Sequence, residues 1–312
     1  MTIQTLLAVV WCLGRVCLPL VVPAQVDPAT LPVDADDLAV LRRIAEREKL
    51  TAPPEIVTKG WPLQQGDQGV RFASQVNPRH ALTVVTDANG RVLKYLGNGP
   101  ILSNESLADV AKLPELRVIR IDHNVPGPGS PTSHDLYDGS GFVALADSKL
   151  EELKIGHAFN DSGMAAVATI RGLKSLTAVH SRVTDQGVKA LANHPNLEVF
   201  HISSQARPER VTDKCLPVFA TLPKLRELGL HETFLTYENG LKHLRDHKQL
   251  KKLSLKDSLV LPADLEKLKQ DLPALVVETS TPAEILAGPN SRGVARWASP
   301  EAKEYLKMGA QK

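Results

Sequence analysis

The apolar residues between positions 116 and 255 return in one short pattern, Leu-x-x-(Leu/Ile/Phe)-x-(Leu/Ile/Ala). Its occurrences are Leu116/Ile119/Ile121, Leu150/Leu153/Ile155, Leu173/Leu176/Ala178, Leu197/Phe200/Ile202, Leu225/Leu228/Leu230 and Leu250/Leu253/Leu255. Successive first positions lie 34, 23, 24, 28 and 25 residues apart, and Leu275 follows after another 25. Within each triplet the last two apolar residues sit two apart with another residue between them, the period of a strand with one buried face. Recurrence at this length predicts a stack of similar small units rather than a single irregular core.

A second element fills the interval between strands. The segments DGSGFVALA, NDSGMAAVA, TDQGVKALA, TDKCLPVFA, YENGLKHLR and PADLEKLKQ each place polar or turn-forming residues at or near the start of a short apolar-periodic run. An Asp or Asn leading such a run predicts a helix whose first N–H groups are capped by the side-chain oxygen. Pro114, Pro195, Pro223 and Pro273 stand before the leucines of several strands, and a residue that blocks helix continuation ends each helix there. The two longest intervals hold NVPGPGSPTSHDLYDG and SSQARPER, insertions at the same place in the unit. Each unit reads strand, turn, helix, turn. One unit cannot bury its apolar stripe alone, whereas stacked units make a continuous core.

The segments VTDQGVKAL (183–191) and VTDKCL (211–216), together with the Leu-x-x-Leu-x-Leu strands, carry a family resemblance. Over residues 92–278 the chain resembles leucine-rich repeat proteins of the cysteine-containing, F-box-associated subtype, which is also abundant among secreted bacterial proteins. The resemblance implies an α/β solenoid with parallel strands on a concave face and short helices on the convex face. It is nearly silent on activity, because the family is defined by architecture. No F-box precedes the repeats.

The flanks read as caps. DADDLAVLRRIAEREKL (34–50) spaces Leu38, Leu41, Ile44 and Ala45 as an amphipathic helix, and ALTVVTDANGRVLKYLG (81–97) is two strand-like runs around Ala-Asn-Gly, a hairpin signal. ILSNESLADVAKLPEL then predicts a degenerate first helix. The domain organisation expected is a signal peptide over 1–24, an N-terminal cap over 25–112, the solenoid over 113–278 and a C-terminal cap or flexible tail over 279–312. In that tail TPAE and SPEAKEYL are Pro-initiated helix starts, the second capped by Ser299.

Composition narrows the function classes. A formal charge of +2 with both signs interspersed leaves no electrostatic footprint for nucleic acid. Residues 1–24 are apolar and end in Val22-Pro23-Ala24, which predicts export with cleavage after Ala24. The alternative is an uncleaved segment that tethers the chain to a membrane. Cleavage removes Cys12 and Cys17, so the mature chain keeps Cys215 alone and forms no internal disulfide. Cys215, beside Leu216 at a forming helix, reads as a small buried hydrophobe.

Candidate binding residues are those between the apolar strand positions, which point to the concave face: Arg120, Asp122, Glu152, Lys154, His201, Glu227, His231, Lys252 and Lys256. The face is polar and has no aromatic anchors, which predicts modest affinity or a charged partner. His123, His157 and His180 fall just beyond successive strands and form a candidate metal or pH-sensitive ladder, set against tolerance of small polar groups at a strand edge. His243 and His247, four apart, lack the Glu of a zinc helix and read as a solvated convex face. Asp135, Asp138 and Ser140 lack the ligand spacing of a calcium loop, and Asp138 reads as helix-start chemistry. Gly-x-Ser-x-Gly, phosphate-loop and His-Glu-x-x-His motifs are absent from the sequence. The expectation is a monomeric, non-enzymatic protein-binding module without a cofactor, not integrated in the membrane after cleavage. The alternatives are an envelope glycan-binding or structural protein, or a metal-dependent enzyme built on the histidine ladder.

Overall fold

The computed structural model describes residues 31–60, 62–122, 137–204, 211–287 and 300–309. The repeating triplets do what their period demands. All of their apolar residues are buried, the most exposed being Leu250 at 6 %. Ile119, Leu153, Leu176, Phe200, Leu228, Leu253 and Val277 stand opposite one another on adjacent parallel strands. This shared register is the reason one aliphatic column runs the length of the stack.

Among the described residues eleven strands form one sheet in chain order. They are β1 (Glu55–Val57), β2 (Gly69–Ala73), β3 (Ala81–Thr86), β4 (Val92–Asn98), β5 (Val118–Asp122), β6 (Glu152–Gly156), β7 (Ser175–Ser181), β8 (Val199–Ser204), β9 (Glu227–His231), β10 (Lys252–Leu255) and β11 (Val276–Thr279). β1 to β4 pair antiparallel, and from β4 to β11 every pair is parallel. Short α or 3-10 helices return the chain between the parallel strands: α2 (Asn104–Val110), a 3-10 turn at Ser140–Leu145, α3 (Asp161–Val167), α4 (Asp185–Lys189), α5 (Leu216–Phe219) after a turn at Asp213–Cys215, a 3-10 turn at Leu241–Leu244, and α6 (Pro262–Asp271). The chain is an α/β leucine-rich repeat solenoid, with its strands on the concave face.

The helix starts differ from the sequence expectation in one informative way. In the TDQG and TDKC segments the cap is the threonine: Thr184 accepts from the Gln186 amide at 3.2 Å and Thr212 from the Lys214 amide at 3.3 Å. The aspartate is thereby free to reach the next unit. Asp161 accepts from the Thr184 amide and hydroxyl, Asp185 from those of Thr212, and Asp213 from those of Thr236. In TDQG and YENG the glycine leaves room for this contact, since a β-carbon on Gly187 would lie 2.2 Å from the Asp161 carboxylate and one on Gly240 2.2 Å from that of Asp213. The motif is a device for joining units. Asn160 does cap α3 as expected, and Asp138 accepts from the Ser140 amide at 2.8 Å.

At the N-terminal end α1 (Ala35–Arg47) packs Val40, Leu41, Ile44 and Ala45 into the core. β3 and β4 form the expected hairpin, its turn closed by Gly90 at φ +81°. β1 and β2 extend this hairpin, an addition that the alternation of Val70 and Phe72 could have signalled. At the other end α7 (Pro282–Ala287) and α8 (Pro300–Gly309) bring Ile285, Ala302 and Leu306 onto Leu259 in a small separate cluster. Among the described residues no helix is long and apolar enough to cross a membrane. The leader at 1–24, Ser299 and Asp135 lie outside the described residues.

Candidate functional site

Strand parity sends alternate residues of β5 to β10 away from the core, and the register sorts them into rows. One row runs Val118, Glu152, Ser175, Val199, Glu227, Lys252. The next runs Arg120, Lys154, Thr177, His201, Gly229, Ser254. The candidate binding residues thus share one face. Charge gathers at its two ends. On one side Arg120 grips Glu152 through both carboxylate oxygens and Lys154 bonds Asp122 at 2.9 Å. On the other, Lys252 bridges Glu227 and Glu278, each at 3.3 Å, and Lys256 reaches Glu278 at 3.3 Å. Ser175, Thr177 and Val199 form an uncharged strip between them.

His201 and His231 meet at the edge of the second charged zone. The His201 Nε2–H donates to Glu227 at 3.0 Å, and His231 Nδ1 bonds the Lys256 carbonyl oxygen at 3.1 Å. A carbonyl only accepts, so Nδ1 of His231 carries the proton. The two rings lie 5.6 Å apart at their centroids and 27° from parallel. Burial, then the neighbouring His201, pushes the pKa of His231 below the usual histidine value. Gly229 lies beneath the pair, a position whose significance the sequence did not disclose.

The histidine ladder is divided by the structure. His157 and His180 occupy equivalent positions with left-handed backbone, φ +59° and +51°, as do Glu232 at +58° and Asp257 at +58°. Their rings stand edge to face at 5.8 Å. His180 Nε2 is 3.0 Å from Glu232, which lies two strands away. His123 lies outside the described residues. The column is therefore a series of positions at strand ends where polar side chains take a left-handed conformation that β-branched residues avoid.

His243 and His247 do not share a solvated face. The 3-10 turn ends at Leu244, His243 is exposed, and His247 is buried with Nε2 bonded to the Leu222 carbonyl at 3.1 Å. His194 does the same with the Ile170 carbonyl, also at 3.1 Å. Both histidines stand three residues before the first leucine of a triplet, a shared offset that could have identified them as bonds between units. Cys215 is fully buried, and burial raises its thiol pKa, so it behaves as core.

No family model and no curated protein matches the chain. Among solved structures it is similar to an internalin from Listeria monocytogenes at 18 % identity and TM-score 0.38, covering 62 % of this chain and 49 % of that one. It is also similar to a leucine-rich repeat protein from Leptospira interrogans (16 %, TM-score 0.35, 55 % and 45 % covered) and to a Bacteroides fragilis protein (14 %, TM-score 0.32, 57 % and 60 % covered). The chain spans between 45 % and 60 % of the length of these structures.

Proposed function

We propose that this protein is exported and acts as a recognition module that binds a protein partner through its concave face, aided by the insertions after β5 and β8. The observation that carries this role is the concave face itself. Its side chains contribute little to the core, yet the strand register holds them in fixed rows, so little ordering entropy is lost when a partner docks. The two charged zones are already internally paired. A partner must therefore offer complementary charge to both ends and a small-residue match to the uncharged strip between them, which favours specificity over raw affinity. The repeats are of the cysteine-containing type, with Cys215 where TDQG has glycine. The role is one of binding, not catalysis.

The test is affinity capture from envelope and culture fractions with the wild-type chain and with a variant carrying Arg120→Ala, Lys154→Ala, His201→Ala and Lys252→Ala. A partner retained by the wild type and lost by the folded variant, with retention falling as salt rises, is the expected result. Retention unaltered by the four changes would remove the concave face from the interaction and leave the two insertions as the binding surface.

A further inference from the structure

We infer that His201 and His231 form a binding site for a divalent transition-metal ion above Gly229. The first ground is convergence. The point that a β-carbon on residue 229 would occupy lies 2.6 Å from His201 Nδ1 and 2.7 Å from His231 Nε2. An ion lies farther from the strand than that point, which is one bond from the glycine α-carbon, and imidazole binds zinc at about 2.0–2.1 Å, so the two rings rotate outward to bring both nitrogens to it. The two rings are stacked over the glycine, with centroids 5.6 Å apart and planes 27° from parallel.

The second ground is protonation. His201 uses Nε2 on Glu227 and His231 uses Nδ1 on the Lys256 carbonyl. With both protons placed on those outer nitrogens, the two that face Gly229 are the ones with free lone pairs. A carboxylate behind one ring and a backbone carbonyl behind the other is the support that metal-binding histidines use to fix their tautomer. The flanking lysines do not compete for the space, since Lys252 is drawn to Glu227 and Glu278, and Lys256 to Glu278.

The third ground is the glycine. Gly229 lies inside β9 without a positive φ, so its conformation does not call for glycine. A glycine inside a strand costs stability and commonly marks a close approach by another group. Here the approaching groups are the two imidazoles. Among the described residues no group of three or more His, Cys, Asp and Glu is placed to hold an ion together. The protein therefore supplies two ligands and leaves the remaining positions to water or to a donor from a docked molecule. Imidazole donors suit Zn2+, Ni2+ and Cu2+ rather than Mg2+ or Ca2+. The inference does not depend on the recognition role, because its test uses the ion alone.

The experiment is calorimetric titration of the purified chain with Zn2+, repeated with Ni2+ and Mg2+. The wild type takes up one equivalent of Zn2+ or Ni2+ and no Mg2+. His201→Ala and His231→Gln each weaken uptake by at least about tenfold, and Glu227→Gln, which removes the support behind His201, weakens it by about tenfold. Gly229→Ala weakens it with both imidazoles retained, while the double change His157→Ala and His180→Ala leaves it intact. Melting curves without metal separate lost binding from lost folding, and His231→Gln carries the test if Gly229→Ala unfolds. Three outcomes would overturn the site: no uptake by the wild type, unchanged uptake by His231→Gln, or uptake lost only in the His157/His180 variant, which places the ion on the other pair.

Discussion

The N-terminal cap and the repeat stack solve the same problem by different means. In the stack the polar connections repeat: Asp161, Asp185 and Asp213 each receive two hydrogen bonds from the threonine of the following unit. In the cap each connection is particular. Buried Asp37 meets Arg91 and the Val92 amide, buried Glu48 receives Ser103 and Ser106, and Asp109 gathers Arg43, Arg47 and Lys112. A repeated unit can reuse one geometry because each neighbour offers the same partner. A cap must join a helix and an antiparallel hairpin to the first parallel strand, where no such partner recurs. It does so with three carboxylates, each holding its own set of cationic or neutral donors.

The largest expected effect lies in the stack. Leu228, fully buried between Phe200 and Leu253 of the adjacent strands, is changed to alanine with a loss of about 2–5 kcal/mol. Chemical denaturation checks this, and an unchanged midpoint would contradict the register. In the cap, Asp109→Asn should cost about 1–3 kcal/mol at neutral pH, since its exposed cationic partners screen part of the attraction.

The two regions should also respond oppositely to pH. Burial alone would raise the pKa of Asp109, but hydrogen bonds from Lys112, Arg47 and Arg43 bring it down to about 2. Its contribution is present above the unfolded value near 3.9 and is lost as pH falls toward 2. Burial dominates at Asp213, against the bonds from Thr236, and raises its pKa to about 6. Its contribution is full below about pH 4 and is lost as pH rises through 6. Denaturation midpoints followed from pH 2 to pH 7 should therefore lose the lower slope in Asp109→Asn and the upper slope in Asp213→Asn. If either variant keeps the slope of the wild type, the electrostatic account of that region fails. The smallest effect belongs to the four-site concave variant, whose melting temperature should stay within a few degrees of the wild type because the altered ion pairs are half-exposed and the core is untouched. A large drop would mean that this face supports the fold rather than a partner.

Much of the architecture was legible because burial follows parity within a few residues. The triplets, the helix starts near Asn160, the hairpin around Gly90 and the concave rows all follow from local spacing. The N-terminal strands were less visible: β1 is a three-residue edge strand that is mostly exposed, and β2 between β1 and β3 spans only five residues, too short for a firm period. The candidate site was legible as a face but not as a constellation. His231 and His201 appeared in the same roster of concave residues, whereas His247 was assigned to solvent and is in fact a buried bond to the preceding unit.

The sequence by itself determined the repeat length, the strand positions and the direction of each strand side chain, because the alternation that buries one face is written in neighbouring residues. Only the tertiary structure decided which units touch through which polar atoms. Asp185 meets Thr212 across 27 residues, His194 meets the Ile170 carbonyl across 24, and two histidine rings close over Gly229 from different strands. Those contacts depend on stacking one unit on the next, and a linear pattern specifies that a neighbour will arrive without specifying which atom it will present.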